Sequence, residues 1–277
     1  MDESRGNAEP RHTPVLMLVH AHPDDESSQT GGTLARYAAA GYRTVLVTCT
    51  DGRHGDAAGL DAGLVPTRRS GELDQAAKAL GVSDVVKLGY PDSGLHEGGV
   101  EYAAADSFSR LPISPIVHQL VRLIRLFSPD VLVTYPANGL SGHPDHIRTH
   151  EAVVTAHRNI VANTDSTPPK LYYIAMSASS VRRFQATARA VFGDEAWTPP
   201  DDMAVDDAEI TARIDVTPFW PDKLRALAAH ASQPDAQALL QMFSDTTELD
   251  ESGLRTEEYV RAYPPPVAGS AVADDLF

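Results

Sequence analysis

Cysteine is almost absent from this 277-residue sequence, which contains one, Cys49. A single thiol excludes an intrachain disulfide framework and any zinc site built from several cysteines. Cys49 lies in the run TVLVTCT, so we expect a small core residue and not a nucleophile. A metal site in this protein would therefore use histidines and carboxylates, of which the chain has 11 and 38.

Basic residues are also scarce: 23 lysines and arginines stand against 38 acidic residues, which gives a formal net charge of −15. Such a chain repels phosphate backbones and anionic lipids, so we expect neither nucleic acid nor membrane as a partner. The sequence has no apolar run of about 18 residues and no basic-then-apolar start typical of a secretory signal. We expect a cytoplasmic protein that binds a neutral or cationic small molecule, with homo-oligomerisation left open.

Several short motifs are missing as well. Neither G-x-G-x-x-G nor G-x-x-x-x-G-K-[ST] is present, which argues against a nucleotide-binding module on a Rossmann-like sheet. The absence of G-x-S-x-G argues against a serine hydrolase.

Short β-branched runs alternate with helix-like stretches from residue 14 onwards. This alternation predicts an α/β, Rossmann-like fold with a mostly parallel sheet flanked by helices. The predicted strands are 14–20, 43–50, 84–90, 130–135, 170–177 and 209–217, and the predicted helices are 27–40, 67–80, 114–127, 146–163 and 218–230.

No linker divides the chain, so we predict one domain over residues 14–263, with flexible tails at 1–13 and 264–277. The glycine-rich loops 52–66 and 91–112 have no assigned role. Segment 194–209 carries seven acidic residues and no basic one, which favours a solvated loop, the alternative being a lid or rim of the active site.

Two polar clusters follow predicted strands, at the sheet edge where ligands of parallel sheets bind. AHPDDE, residues 21–26, follows the first strand, and GHPDH, residues 142–146, follows the strand that ends at residue 135. Two histidines and one carboxylate can hold a catalytic zinc ion and leave a position for water. A further carboxylate could take a proton, and a further imidazole could stabilise an oxyanion. The clusters together predict an open metal site.

Other interpretations of these clusters exist. The first could be a turn held by Asx-type hydrogen bonds, and the second a helix N-cap with incidental histidines. Two histidines and one carboxylate also form the iron site of iron(II) oxygenases, although those sites usually combine H-x-D spacing with a β-helix, whereas H-x-x-D lies here in an α/β pattern.

AHPDDE and HPDH, in this order and after strands, resemble the paired motifs of the PIG-L/LmbE-like zinc N-deacetylases. That family includes glucosaminyl-phosphatidylinositol deacetylases and the deacetylases and amidases of mycothiol and bacillithiol metabolism. Weaker matches are Arg69 before Glu72 in RSGELDQAAKALGV, Asp92 in LGYPDSG, and the late stretch DVTPFWPDKLRALAAHASQ. The resemblance covers most of residues 14–233.

The resemblance implies a role for each matching residue. The implied zinc ligands are His22, Asp25 and His146. The implied catalytic residues are Asp24 as general base, His143 as oxyanion stabiliser or acid, and Asp145 as the residue that orients the His143 ring. Arg69 and Asp92 match positions that bind sugar hydroxyl groups.

One position departs from the family pattern. Mycothiol-pathway members carry a tyrosine two residues before the first histidine of HPDH, where this chain has Ser141. Tyr135, at the end of the preceding strand, is the nearest candidate for a replacement.

Other polar residues near the motifs receive weaker assignments. We expect His20 to be buried and hydrogen-bonded, His150 not to bind metal, and His54 and His96 to be solvated. Glu26 is either a support for the site or the start of a helix.

The resemblance implies hydrolysis of an N-acetylglucosamine-type amino sugar or its conjugate, to acetate and a free amine. The alternative is an amidase that removes a longer acyl group from an amino-sugar conjugate. The expected cofactor is one Zn²⁺ per chain, other divalent metals being possible.

Overall fold

The structure is a computed structural model that describes residues 12–56, 59, 61–95, 103–164, 166–245 and 254–277. Its strands are β1 (Val15–His20), β2 (Arg43–Thr50), β3 (Asp84–Tyr90), β4 (Val131–Thr134), β5 (Lys170–Ala175), β6 (Ala212–Asp215) and β7 (Thr256–Tyr263). Its helices are α1 (Asp25–Ala39), α2 (Val65–Ala79), α3 (Ile113–Phe127), α4 (Pro144–Ala162), α5 (Ala178–Phe192), α6 (Trp220–Ala229) and α7 (Pro234–Asp245).

The seven strands form one sheet in the order β3-β2-β1-β4-β5-β7-β6. Strands β1 to β5 pair in parallel, whereas β7 pairs antiparallel with both β5 and β6. The predicted mostly parallel α/β sheet is therefore confirmed.

Helices cover both faces of this sheet. Side chains of β1 alternate between two cores: Leu16 and Leu18 belong to one, Met17 and Val19 to the other. The first core is closed by α1, α2, α5, α6 and α7, and the second by α3 and α4. Burial on both faces explains why the central strands are continuous apolar runs.

The neighbours β1 and β4 form the point where the chain reverses its direction across the sheet. From β1 the chain proceeds outwards to β2 and β3, and it then returns to β4 on the other side of β1. The strand ends diverge at such a point and leave a crevice, where open α/β sheets bind ligands. Both histidine motifs emerge here, AHPDDE after β1 and HPDH after β4.

Three elements were not predicted: α5, α7 and β7. Strand β7 carries Glu257 and Glu258, charges that argue against a buried strand in sequence. Both are buried in the structure, because Glu257 pairs with Lys223 at 2.6 Å and Glu258 with Arg213 at 2.9 Å.

The sequence predicts a flexible tail over residues 264–277, whose last two residues pack against the domain. Leu276 is fully buried, its backbone N–H donates to the Tyr37 hydroxyl at 2.8 Å, and the Phe277 ring lies 4.6 Å from that of Tyr42. The hydrogen bond and the apolar contacts hold the last residues of the chain against the domain. Of the predicted N-terminal tail, residues 1–11 lie outside the described residues.

Cys49 is buried, and burial raises the pKa of its thiol to about 12, as expected of a core residue. Among the helices of the described residues, none combines the length and the apolar character needed to cross a bilayer.

Candidate functional site

The loop after β1 is held in a tight turn by its own carboxylates. Asp25 Oδ2 accepts a hydrogen bond from the His22 backbone N–H at 2.8 Å, and Glu26 Oε2 accepts one from the Asp24 N–H at 3.0 Å. Asp24 has a φ of 115°, which side chains with a Cβ rarely adopt. Both carboxylates accept from backbone N–H groups that precede them, and Asp24 makes no side-chain cap hydrogen bond, so this is not the Asx-type turn of the alternative interpretation. The turn presents His22, Asp24 and Asp25 at the crevice.

The loop after β4 leads into α4 with His143 as its N-cap. His143 Nδ1 accepts a hydrogen bond from the Asp145 backbone N–H at 3.1 Å, and Pro144 occupies the first turn. His146 Nδ1 donates to the Gly139 carbonyl at 3.0 Å. Gly139 has a φ of 69°, and a Cβ there would lie 2.9 Å from the His146 Cβ, so this close approach requires glycine. The bond turns His146 Nε2 toward His22 and Asp25.

Three nitrogen and oxygen atoms from the two loops form a nearly equilateral triangle. His22 Nδ1 lies 3.2 Å from His146 Nε2, and Asp25 Oδ2 lies 3.3 Å and 3.4 Å from these two atoms. In a tetrahedral site with metal–ligand bonds of 2.0–2.1 Å, ligand atoms lie about 3.3–3.4 Å apart. The triangle therefore fits three corners of such a site, and the fourth corner faces the crevice.

Other groups in the crevice could also contribute to a metal site. Ligand atoms of His22, His143 and His146 lie within 4.8 Å of one another, as do those of His22, Asp92, His143 and Asp145. In the second set His22 Nε2 lies 3.2 Å from Asp145 Oδ2 and 3.6 Å from Asp92 Oδ1. The carboxylates of Asp25 and Asp145 both accept hydrogen bonds from protein groups, so hydrogen bonding does not separate the sets. The nearly equal edges of the triangle favour His22, Asp25 and His146.

Asp145 orients His22, and not His143 as expected. Its Oδ2 accepts a hydrogen bond from His22 Nε2 at 3.2 Å and one from the Ser93 N–H at 2.9 Å, and its Oδ1 accepts one from the Ser93 hydroxyl. Only its backbone N–H reaches His143. With a metal on Nδ1, the Asp145 carboxylate would hold the ring proton of His22 on Nε2.

Tyr135 supports the triangle from behind. Its hydroxyl donates to Asp25 Oδ2 at 2.7 Å and accepts from the Ala21 N–H at 2.9 Å, and its ring stacks on that of His146 at 4.2 Å. Tyr135 is fully buried and both bonds hold its hydroxyl, so it does not reach the crevice to replace the tyrosine missing at Ser141.

The two remaining groups of the motifs differ in how readily they hold a proton. Burial raises the pKa of Asp24 to about 6, although Arg69 opposes the shift. Burial, together with His22 and His146, lowers the pKa of His143 to about 3. At neutral pH Asp24 can therefore take and return a proton, whereas His143 stays neutral and donates from Nε2.

Arg69 and Asp92, the expected sugar-binding residues, both line the pocket beside the triangle, a space of about 390 Å³. Arg69 Nη2 donates to Asp24 Oδ2 at 2.8 Å, and Nη1 donates to the Gly52 carbonyl at 2.8 Å. Asp92 accepts from the Gly94 N–H at 2.8 Å. Although burial opposes the shift, His22 holds the pKa of Asp92 below its usual range. Most residues that line the pocket are polar, as a sugar requires, and Leu95, Ala236 and Leu239 add apolar surface.

A buried ion pair behind Asp24 was not predicted. Glu26 accepts a hydrogen bond from His230 Nε2 at 2.7 Å, and both residues are fully buried. Although burial opposes the shift, Glu26 raises the pKa of His230. Since Glu26 also holds the Asp24 N–H, it supports the site and begins α1. The late stretch that resembles the family contains His230 and was the available signal.

The other histidines lie mostly as expected. His20 is fully buried and lies 2.9 Å from Thr30 Oγ1, and His150 Nδ1 donates to the Tyr135 carbonyl at 2.8 Å. His54 is exposed at the pocket rim, and His96 lies outside the described residues.

Comparisons with known proteins show which proteins this chain is similar to. The model of the family described as PIG-L, GlcNAc-PI de-N-acetylase, matches residues 17–157. The chain is 39% identical over 243 residues to the 1D-myo-inositol 2-acetamido-2-deoxy-alpha-D-glucopyranoside deacetylase of Thermobifida fusca (strain YX), covering 79% of this chain and 82% of that protein.

Two further similarities extend over more of the chain. A deacetylase of the same description from Frankia alni is 37% identical over 290 residues, covering 94% of this chain and 98% of that one. The solved structure of N,N'-diacetylchitobiose deacetylase from Pyrococcus horikoshii has the same fold, with a TM-score of 0.60 at 18% identity, and covers 92% of this chain and 87% of that chain.

Proposed function

Because the chain belongs to the PIG-L family, we propose that it is a zinc-dependent hydrolase that removes the N-acetyl group from an N-acetylglucosamine-type conjugate. The names of its relatives support a small amino-sugar glycoside as the substrate, and acetate and a free amine would be the products. Residues 14–263 would act as one catalytic domain.

The observation that carries this proposal is the triangle of His22 Nδ1, Asp25 Oδ2 and His146 Nε2. Its edges of 3.2–3.4 Å suit zinc. Each histidine also donates a hydrogen bond from its other ring nitrogen to an oxygen atom, as metal-bound histidines do. A zinc ion held there would polarise the amide carbonyl and make a water molecule acidic at neutral pH.

Asp24 and His143 would divide the remaining chemistry. Asp24 would accept a proton from the attacking water and return it to the nitrogen as the C–N bond breaks, for which a pKa of about 6 is suited. Neutral His143 would donate a hydrogen bond from Nε2 to the carbonyl oxygen as negative charge develops on it.

The polar pocket would hold the sugar. Arg69 and Asp92 are the proposed contacts for its hydroxyl groups, Arg69 as a donor and Asp92 as an acceptor. Arg69 also holds Asp24 in place at 2.8 Å, so its substitution would affect both sugar binding and the base.

Asp24→Asn tests the mechanism, because it removes the base and retains the shape of the side chain. We expect acetate release from N-acetylglucosaminides, including the inositol glycoside named for the relatives, to fall by about 10²–10⁴-fold in kcat. Bound zinc, measured by atomic emission, should stay at one per chain. The matched control is Asp74→Asn, which changes an exposed carboxylate on α2. Turnover within a few-fold of the wild type, or a purified wild type without any divalent metal, would contradict the proposal.

A further inference from the structure

A groove with mostly apolar walls lies beside the polar pocket and is not needed for the chemistry described above. Its cavity of about 250 Å³ is lined on the sheet side by Ile174 and Met176, and on the opposite side by Phe184, Trp197 and Leu239. The last three residues also line a neighbouring space of about 510 Å³ between α5 and α7. We call these two connected spaces the apolar groove.

The apolar groove begins at the proposed metal ligands. Ser28 and Leu239 line both the groove and the polar pocket. Gln29, in the groove wall, donates to Asp25 Oδ1 at 3.0 Å, and the Ser141 hydroxyl, also in the wall, lies 3.4 Å from His146 Nδ1. A ligand that enters the polar pocket can therefore extend into the groove without leaving the protein surface.

The charged residues that line the cavity of about 250 Å³ are already paired, whereas the second space has one exposed carboxylate in its wall, Asp235. Lys223 Nζ lies 2.6 Å from Glu257, whose oxygens also accept from two backbone N–H groups of α1. Glu258 accepts from Arg213 at 2.9 Å and from Ser177. Because the protein satisfies these charges, the groove selects a neutral, apolar group.

The acidic segment 194–209 forms part of the groove. Its acidic residues 194, 195, 201 and 202 are exposed, whereas Trp197, Pro199 and Met203 line the cavity. Trp197 is 70% exposed, unusually high for so large an apolar side chain. The segment is thus a rim of the site as well as a solvated loop.

We propose that the apolar groove binds the aglycone of the substrate, and that this aglycone is aliphatic or aromatic. The inference rests on the proposed N-deacetylation. We assign the groove to the aglycone and not to the acyl group, because an acetyl group carries a single methyl and would leave most of a 250 Å³ space empty. The sugar occupies the polar pocket, the amide meets the metal, and the group on the anomeric carbon extends toward Trp197.

A series of alkyl N-acetylglucosaminides, from methyl to hexyl, tests the proposal on the full-length zinc enzyme. Acetate release should show kcat/KM rising about threefold for each added methylene until the groove is filled. In Trp197→Ala and in Phe184→Ala the ratio of kcat/KM for the hexyl glycoside to that for the methyl glycoside should fall at least fivefold. The control is Leu126→Ala on α3, since Leu126 is 71% exposed and lies outside the groove.

Each other result would overturn the proposal in a recognisable way. If no glycoside released acetate, the proposed function would fail and the aglycone assignment with it. Equal kcat/KM along the series would refute the groove alone. A preference for methyl N-hexanoylglucosaminide over hexyl N-acetylglucosaminide would assign the groove to the acyl group. Equal losses on methyl and hexyl substrates in both groove variants would show that Trp197 and Phe184 serve the fold.

Discussion

Asp145→Asn should weaken metal binding and leave the oxyanion donor in place. The Asp145 carboxylate is fully buried and accepts from His22 Nε2 at 3.2 Å, so its charge holds the ring that presents Nδ1 to the metal. Loss of such a supporting carboxylate costs about 10–100-fold in metal affinity, or about 1.4–2.7 kcal/mol. The contact with His143 comes from the backbone N–H of residue 145, which the substitution preserves.

The assay is competition for zinc with a chelator of known affinity, combined with kcat at saturating zinc. We expect the larger effect of Asp145→Asn in the zinc Kd, and the larger effect of His143→Ala in kcat. Because the two residues would act on different quantities, their effects should add in the double variant. The reasoning would be refuted if Asp145→Asn left the zinc Kd unchanged and lowered kcat, and if this loss of kcat did not add to that of His143→Ala. Asp145 would then orient His143, as the resemblance implies.

Three further predictions concern the proton acceptor, the buried ion pair and the packing of α1. Burial raises the pKa of Asp24 to about 6, and only the ionised carboxylate accepts a proton. The value of kcat/KM should therefore rise as pH increases through about 6. A pH profile that stays flat there would exclude Asp24 as the base. Glu26→Gln should lower the free energy of unfolding in urea by about 3 kcal/mol, because it leaves buried His230 without its carboxylate. Pairing with Glu26 raises the pKa of His230 in the folded protein. The stabilisation by the ion pair is therefore complete below pH 6.5, the pKa of the unfolded state, and is lost as pH rises through the folded-state pKa. The difference in the free energy of unfolding between the wild type and Glu26→Gln should narrow over that range. Gly32→Ala should lower the free energy of unfolding by about 1–3 kcal/mol, because the new Cβ would lie 2.3 Å from the Val216 Cβ. Helix propensity alone would favour alanine by about 1 kcal/mol. Val216→Ala should relieve part of the loss, and a more stable Gly32→Ala variant would contradict the packing.

The position of the site could be predicted from the sequence because it depends on strand ends. Periodicity located β1 and β4, and the polar clusters followed each of them. That β1 and β4 are neighbours, and that the chain reverses direction between them, is not visible in any local pattern. This adjacency brings His22 and His146 to 3.2 Å across 124 positions of sequence.

Strand β7 was missed for a different reason, which is that distant residues neutralise its charges. From the sequence alone, Glu257 is expected to be exposed to solvent. In the structure, Lys223 and two backbone N–H groups of α1 bind its carboxylate. The partner of Asp145 was missed for the same reason. A local interpretation assigns Asp145 to its neighbour His143, whereas the fold places His22 against its carboxylate.

In the proposed mechanism, Asp24 and His143 would separate proton transfer from charge stabilisation within one crevice. Both are partly buried, and burial moves their pKa values in opposite directions, to about 6 for the carboxyl and about 3 for the imidazole. In each case the neutral form gains, because burial disfavours charge. A neutral His143 keeps its Nε2 proton and can only donate a hydrogen bond, whereas Asp24 can exchange its proton close to neutral pH. Since the Tyr135 hydroxyl is held by Asp25 and Ser141 replaces the family tyrosine, we expect the oxyanion to depend more heavily on His143 in this chain than in relatives that keep that tyrosine.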